Sequence, residues 1–381
     1  MATFSGTSDS DVIRPNQISD GVYADPAGST PSNGVFDIIY GNDGYDTLDG
    51  GAGPDEIYGG EGPDRIEDNS YYNAFSPTEP NSGNKIHGNG GDDQITLWVP
   101  AVLESDNTAE NIVYGGEGND ATNLDVILEE GAEGSNPLTG ITTIFGGSGD
   151  DRVQGYTKSG SQTVDLSHAE TRIYGEEGDD QLEASRLFTE ELVGGGNREI
   201  LYGGAGSDVY RVYEAIDTVV ELEGEGTDEV IPYNMNYSLT DHVENMFVVY
   251  PSYSDNIIMS PFYQGNGLDN TMWGCELNET LCGAAGNDTI YGKWTGTHQA
   301  GTVDADVIHG GDGNDTLYGG GGPGETWDGN DTLYGDLGAD TISGQDGNDQ
   351  IYGGRSADDP ADGPDTIYAD VGNDNVWAGG G

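Results

Sequence analysis

The sequence predicts an all-β solenoid, and three observations carry that expectation. From Gly265 to Tyr318 the chain divides into six nine-residue blocks, GNGLDNTMW, GCELNETLC, GAAGNDTIY, GKWTGTHQA, GTVDADVIH and GGDGNDTLY. Each block opens on glycine, and most set an acid or amide at place six and an apolar residue at place eight. A fixed short period of this kind is the mark of a solenoid. Glycine contributes 65 of the 381 residues while the aliphatic stock is thin, so no large globular core can form. The formal charge is -59, from 70 acids against 11 Lys and Arg, which holds a bare chain open and argues against a nucleic-acid partner.

Residue types explain the block. Glycine at places one, two and four is expected to admit positive φ and to let carbonyl oxygens crowd inward, so places one to six read as a tight turn. Places seven to nine, typified by Thr316-Leu317-Tyr318, read as a three-residue strand whose one inward side chain is at place eight. One block is then half a coil. Converging carbonyls and an aspartate make a site of hard oxygens, which suits Ca²⁺.

In chain order, the pattern begins at Gly6–Arg14, with Asp11 at place six and Ile13 at place eight. After an excursion from Pro15 to Pro31, four blocks run from Ser32 to Glu67, with Asp37, Asp46, Asp55 and Asp64 nine apart. Alternate members fall on opposite edges, so Asp37 should stack with Asp55, and Asp46 with Asp64. Beyond Glu67 the place-six acids are Asp93, Asp120, Asp151, Asp180 and Asp208, about 27 to 31 residues apart, which means one glycine loop per coil. One edge is therefore expected to keep a continuous calcium stack. The other gives way to calcium-free excursions near Asp68–Asn84, Pro100–Glu110, Glu129–Gly140, Tyr156–Glu170 and Arg186–Asn197.

The segment Gly206–Val248 reads as a degenerate continuation with longer strands, fewer ions and one loop ending at Asp228. Regular blocks then return, with acids at Asp288, Asp306, Asp315, Asp331, Asp340, Asp349, Asp365 and Asp374; place six is Asn270, Glu279 and Thr297 in three of them. Two loops, Gly319–Tyr334 and Gly353–Tyr368, lengthen to 16 residues. The chain thus divides into a roll with calcium on both edges (1–67), a roll with coils of about 28 residues and a bulged far edge (68–210), a connecting segment (211–264) and a regular nonapeptide roll (265–381).

Blocks such as GGDGNDTLY resemble those of the RTX, or hemolysin-type calcium-binding, proteins, and the likeness runs along nearly the whole chain. The resemblance implies a right-handed parallel β-roll with virtually no helix. Each Ca²⁺ would lie between loops one coil apart, held by the place-six Asp of both and by main-chain carbonyls of places one to four. Transferred here, those carbonyls are carried by place-one Gly41, Gly50, Gly59, Gly88, Gly115, Gly146, Gly175, Gly203, Gly283, Gly310, Gly335 and Gly344. Place two adds Gly51, Gly60, Gly116, Gly147, Gly204 and Gly311. Place four adds Gly53, Gly62, Gly118, Gly149, Gly178, Gly206, Gly286, Gly313, Gly338 and Gly347. Roughly a dozen ions would bring about 24 positive charges to the densest acidic clusters. The resemblance also implies a bacterial protein exported through a type I channel as an unfolded, calcium-free chain. Such substrates usually continue into a C-terminal export signal, where this sequence reads WAGGG.

Other chemistry finds little footing. The five histidines, His87, His168, His242, His298 and His309, are scattered, and neither HExxH nor GxSxG occurs, so no enzyme is expected. Cys275 and Cys282, at places two and nine of one block, are expected as free or intermolecular thiols. Neither a membrane span nor a conventional signal peptide is read. Tyr58, His87, Tyr114, Phe145, Tyr174 and Tyr202 should form an aromatic ladder, with Tyr291, Tyr318, Tyr334, Tyr352 and Trp377 at place nine later. The leading expectation is a secreted structural subunit that self-associates end to end through uncapped coils, alone or with other extracellular or cell-surface components. A folding and secretion module of a larger RTX enzyme or adhesin, and a solenoid that binds ice or polysaccharide, are the alternatives.

Overall fold

The computed structural model describes residues 2–15, 17–25, 31, 36–51, 53–69, 83–101, 110–128, 139–159, 168–185, 198–233, 235–249, 260–293, 304–320, 329–354 and 362–379. All regular structure among them is strand; no helix is present, hence none long and apolar enough to cross a membrane. The chain forms two compact units, Met1–Tyr210 with Ile216–Val220, and Arg211–Ala215 with Glu221–Gly381.

The first unit is a parallel β-solenoid of two strand rows. One row stacks Thr3–Ser5, Ile38–Asp43, Glu56–Glu61, Lys85–Gly90, Glu110–Glu117, Thr139–Ser148, His168–Glu177, Arg198–Ala205 and Thr218–Val220. The facing row stacks Val12–Arg14, Thr47–Leu48, Arg65–Asn69, Gln94–Ala101, Ala121–Leu128, Arg152–Ser159 and Gln181–Glu183. Antiparallel strands Tyr23–Asp25 and Gln17–Ile18 lie beside the first strand of each row. The core is a double file of place-eight side chains: Ile39, Ile57, Ile86, Val113, Ile144, Ile173 and Leu201 face Ile13, Leu48, Ile66, Ile95, Val153 and Leu182, all essentially without exposed surface. Thr122 occupies one place in the second file.

The second unit repeats the arrangement. Thr280–Ala285, Val307–Asp312, Thr332–Leu337 and Gln350–Gly354 form one parallel row, and Thr271–Trp273, Thr289–Tyr291, Thr316–Tyr318, Thr341–Ser343 and Thr366–Tyr368 the other. Leu281, Ile308, Leu333 and Ile351 are buried opposite Met272, Ile290, Leu317 and Ile342.

Several expectations change. The three-residue strand holds for one row only: in the other, six-residue strands such as Glu56–Glu61 continue through places one to three of the next loop. They do so because these loops pair in register, Asn42 with Gly60, Gly60 with Asn89 and Asn89 with Gly116. The place-four N–H of each loop donates to the place-three carbonyl one coil on, as Gly118 does to Ser148 at 2.8 Å. The strands of Gly206–Val248 are short rather than long, Val209–Val212, Thr218–Val220, Glu229–Pro232, Tyr237–Ser238 and Asn245–Phe247. Pro232, without an N–H, closes one of them, and turns join the rest. Strand pairing also reaches into four of the expected excursions, to Asn69, Ala101 and Ser159, and resumes inside them at Glu110, Thr139 and His168. Their central portions, like Thr297, His298 and the middles of both 16-residue loops, lie outside the described residues.

The aromatic ladder forms as the spacing predicts and starts one ring earlier, at Tyr40. Tyr40, Tyr58, His87, Tyr114, Phe145, Tyr174 and Tyr202 stack with centroids 4.5–5.0 Å apart and planes within 13°. The later place-nine rings divide between the two rows: His309, Tyr334, Tyr352 and Trp377 form one file, and Trp273, Tyr291 and Tyr318 the other. Each interior ring spends its faces on its neighbours, which makes the ladder a brace along the coil edge.

Candidate metal centre

A nonapeptide loop brings carboxylate and carbonyl oxygens together, and its glycines serve this in two ways. Place-two and place-four glycines have positive φ, for example Gly116 at 127° and Gly118 at 129°. Place-one glycines do not, and here the expectation is corrected: they are needed for space. A Cβ on Gly88 would lie 2.2 Å from Asp93 Oδ2 and 2.2 Å from the Gly115 carbonyl oxygen; on Gly310, it would lie 2.3 Å from Asp315 Oδ2 and 2.7 Å from the Gly335 carbonyl oxygen. All four distances are closer than real Cβ contacts allow, so only glycine fits between the loop's own carboxylate and the carbonyl of the following coil. Seven non-glycine residues at place two, Asn42, Asn89, Glu176, Ala284, Asp336, Gln345 and Asp370, also take left-handed φ, between 61° and 83°.

The place-six acids form ladders. On one edge of the first unit, the backbone N–H of Asp11 donates to Asp46 Oδ1, Asp46 to Asp64, Asp64 to Asp93, Asp93 to Asp120, Asp120 to Asp151, Asp151 to Asp180 and Asp180 to Asp208, at 2.7–2.8 Å. In the second unit, Asp288, Asp315, Asp340 and Asp365 form one such file, and Glu279, Asp306, Asp331, Asp349 and Asp374 another. The Oδ1 atom is thereby occupied. The Oδ2 atoms of Asp46, Asp55, Asp64, Asp93, Asp120, Asp151, Asp180, Asp288, Asp306, Asp315, Asp340, Asp349 and Asp365 are buried and have no hydrogen-bond partner.

Burial therefore acts on carboxylates with no counter-charge. It raises Asp55 and Asp151 to about 8, Asp64, Asp93, Asp315 and Asp340 to about 7, and Asp46, Asp120, Asp180, Asp288 and Asp349 to about 6, against the ladder hydrogen bonds that pull the other way. Acids in neighbouring coils add like-charge repulsion at Asp46, Asp64, Asp93 and Asp151. Orphaned anionic oxygens spaced one coil apart, with carbonyl oxygens beside them, form a donor set that fits a hard divalent cation.

The opposite edge of the first unit is different. Asp37 donates to Asp55 as predicted, but Asp55 then donates to Asn84 Oδ1 at 2.8 Å, Asn84 to Asn111 Oδ1 at 3.0 Å, and Asn111 Nδ2 to Thr142 Oγ1 at 3.4 Å. Strand register continues this buried file through Thr171, Glu199 and Asp217. Amides and hydroxyls thus fill the place-six file at Asn84, Asn111, Thr142 and Thr171, where the glycine loops stop, and buried acids return to it at Glu199 and Asp217. Sequence reading missed them because the nine-residue spacing is lost, although Asn84 and Asn111 each lie two residues before the apolar residues of the ladder strands, Ile86 and Val113.

The remaining predicted positions vary. Asp11 Oδ2 accepts from Thr7 N and Thr7 Oγ1, and Asp228 is buried with its N–H donating to Glu244 at 2.8 Å. Asn270 turns its amide protons onto the Val243 and Glu244 carbonyls at 3.2 and 3.1 Å, satisfying that file with a neutral donor. Glu279 takes the Cys275 N–H on Oε1 and keeps Oε2 without a partner. Lys293 Nζ lies 3.4 Å from Asp304 Oδ1, both buried, which places an ammonium beside this row. Cys275 and Cys282 are free thiols.

A family model of the RTX calcium-binding nonapeptide repeat matches residues 33–66, 82–97, 138–157, 191–210, 276–293, 300–323, 328–359 and 361–381. Across these segments the chain carries RTX calcium-binding nonapeptide repeats. The matched segments carry most of the acid ladders, and the RTX repeat is a calcium-binding β-roll unit, as the orphaned oxygens require. None of the curated proteins compared with the chain matches it.

Proposed function

We propose that this RTX chain is a secreted, non-enzymatic structural protein whose folding is driven by calcium, with the place-six carboxylates and the loop carbonyls as ligands. The observation that carries this reading is the file of buried Oδ2 atoms without donors. A single uncompensated buried carboxylate is costly, and a row of them one coil apart cannot stay ionised without cations between them. Metal binding is then folding free energy. Where calcium is scarce the chain stays open and threadable, and where calcium is abundant it winds into coils, which suits export in the unfolded state.

Assembly is supported by the coil of Thr366–Tyr368 and Asn375–Trp377. Place-eight side chains elsewhere in these two rows are fully buried, but Val376 is 45% exposed, beside Trp377 at 47% and Tyr368 at 55%. We assign this exposed apolar and aromatic patch to a second copy of the chain. Circular dichroism should show β-structure growing cooperatively with calcium and vanishing on chelation. Equal β-content with and without chelator would end the calcium reading. Sedimentation and electron microscopy at millimolar calcium test the assembly: filaments or sheets are expected, and dispersed monomers would refute it.

A further inference from the structure

Asp68 falls outside every ladder described above, and from sequence it stands at the start of an excursion expected to be calcium-free. Its strand, Arg65–Asn69, pairs with Thr47–Leu48 with Ile66 against Leu48, which brings Asp68 level with Gly50. On the other side Asp68 pairs with Leu97. Gly50 is a place-one glycine, where an added Cβ would meet Asp55 Oδ2 at 2.5 Å. One coil on, the chain therefore sets a carboxylate where the repeat pattern calls for hydrogen. That carboxylate has no exposed surface, and neither of its oxygens has a hydrogen-bond partner. Asp55 Oδ2 is buried and unpartnered too. The charged groups that act on Asp68 are Asp55 and Asp49, both acidic, so none is a counter-charge.

We propose that Asp68 and Asp55 form a calcium site beyond the last regular loop of this edge, with the ion bridging Asp55 Oδ2 and the Asp68 carboxylate and Asp49 adding negative charge nearby. Asp68 supplies by side chain the oxygen that glycine loops supply by backbone. The amide file of Asn84 and Asn111 begins immediately afterwards, so this ion is the one on which the calcium stack of the edge ends. The inference rests on the calcium reading of the place-six acids, because Asp55 is one of them.

The test counts bound calcium on the full chain by equilibrium dialysis with radioactive calcium, for wild type, Asp68→Asn and Asp68→Leu. The leucine variant repeats what Leu97 supplies at the same register and keeps the test decisive if the asparagine variant does not fold. One ion fewer per chain is expected in either variant, with the remaining ions bound at unchanged affinity. A variant that binds the same number of ions with the same affinities as wild type overturns the proposal and marks Asp68 as a protonated core acid. That outcome is distinct from failure of the broader reading, in which wild type itself binds no calcium.

Discussion

The two edges of the first unit make a natural experiment. They share coils, core files and backbone pairing, yet one carries Asp64, Asp93, Asp120 and Asp151, and the other carries Asp55, Asn84, Asn111 and Thr142. Both files meet the same backbone demand, since Oδ1 of an aspartate and of an asparagine accept the N–H from the preceding coil equally well. What distinguishes them is the second polar atom. An amide Nδ2 donates, as Asn111 does to Thr142, whereas the carboxylate Oδ2 waits for a cation. A β-solenoid edge can thus be closed by internal hydrogen bonds or by ions, and glycine loops are needed only for the second.

The largest test of this contrast is pH without metal. The ladder acids ordinarily titrate near 3.8 and rise to about 6 to 8 in the folded state, so between these limits the folded chain holds more protons. Metal-free stability should therefore be greatest at low pH and fall as pH rises through this window. In chelator, far-ultraviolet circular dichroism should show β-structure gained on going from about pH 8 to about pH 5. Calcium must displace those protons, so the midpoint for calcium binding to the folded chain should move to higher calcium over the same descent. A midpoint insensitive to pH would contradict the burial of these acids.

Exchanging the edges comes next. Asn111→Asp puts an unpaired carboxylate into the hydrogen-bonded file and, at about pH 8 with calcium present, should destabilise the chain by about 3–5 kcal/mol in denaturant melts. If calcium stabilised this variant as it does wild type, the edges would not differ as described. The reverse change, Asp120→Asn, keeps the ladder acceptor and removes the charge. It should weaken calcium binding at the adjoining sites by roughly 10–100-fold, or about 1.4–2.8 kcal/mol per site, measured by isothermal titration calorimetry.

The smallest effect belongs to place two. Glu176 sits at φ 83° between Gly147 and Gly204, which pair with it in the neighbouring coils. Glu176→Gly should remove the left-handed penalty at some entropic cost and stabilise the calcium form by about 0.5–1 kcal/mol. A destabilised variant would show that the Glu176 side chain makes a contribution larger than its strain.

How much of this was legible in the sequence depends on what repetition encodes. The coil stacking of Asp46 on Asp64, the inward Ile and Leu at place eight, and the ring ladder from Tyr58 to Tyr202 all follow from spacing, because each repeats one physical demand per coil. The role of place-one glycine was misread, since a close approach and a positive φ call for the same residue and only coordinates separate them. The reach of strands such as Arg152–Ser159 into the expected excursions was likewise hidden, because Gly155 lies in the strand and the pairing skips it.

The sequence by itself determined the period, the identity of the inward residues and the need for cations, because each is a local property counted along one strand of chain. Tertiary structure decided which acids have a buried oxygen without a partner, which edge closes by amides, and that Asp68 turns inward. Those outcomes depend on which side chains meet across coils some 18 to 35 residues apart, where register and not local pattern sets the neighbours.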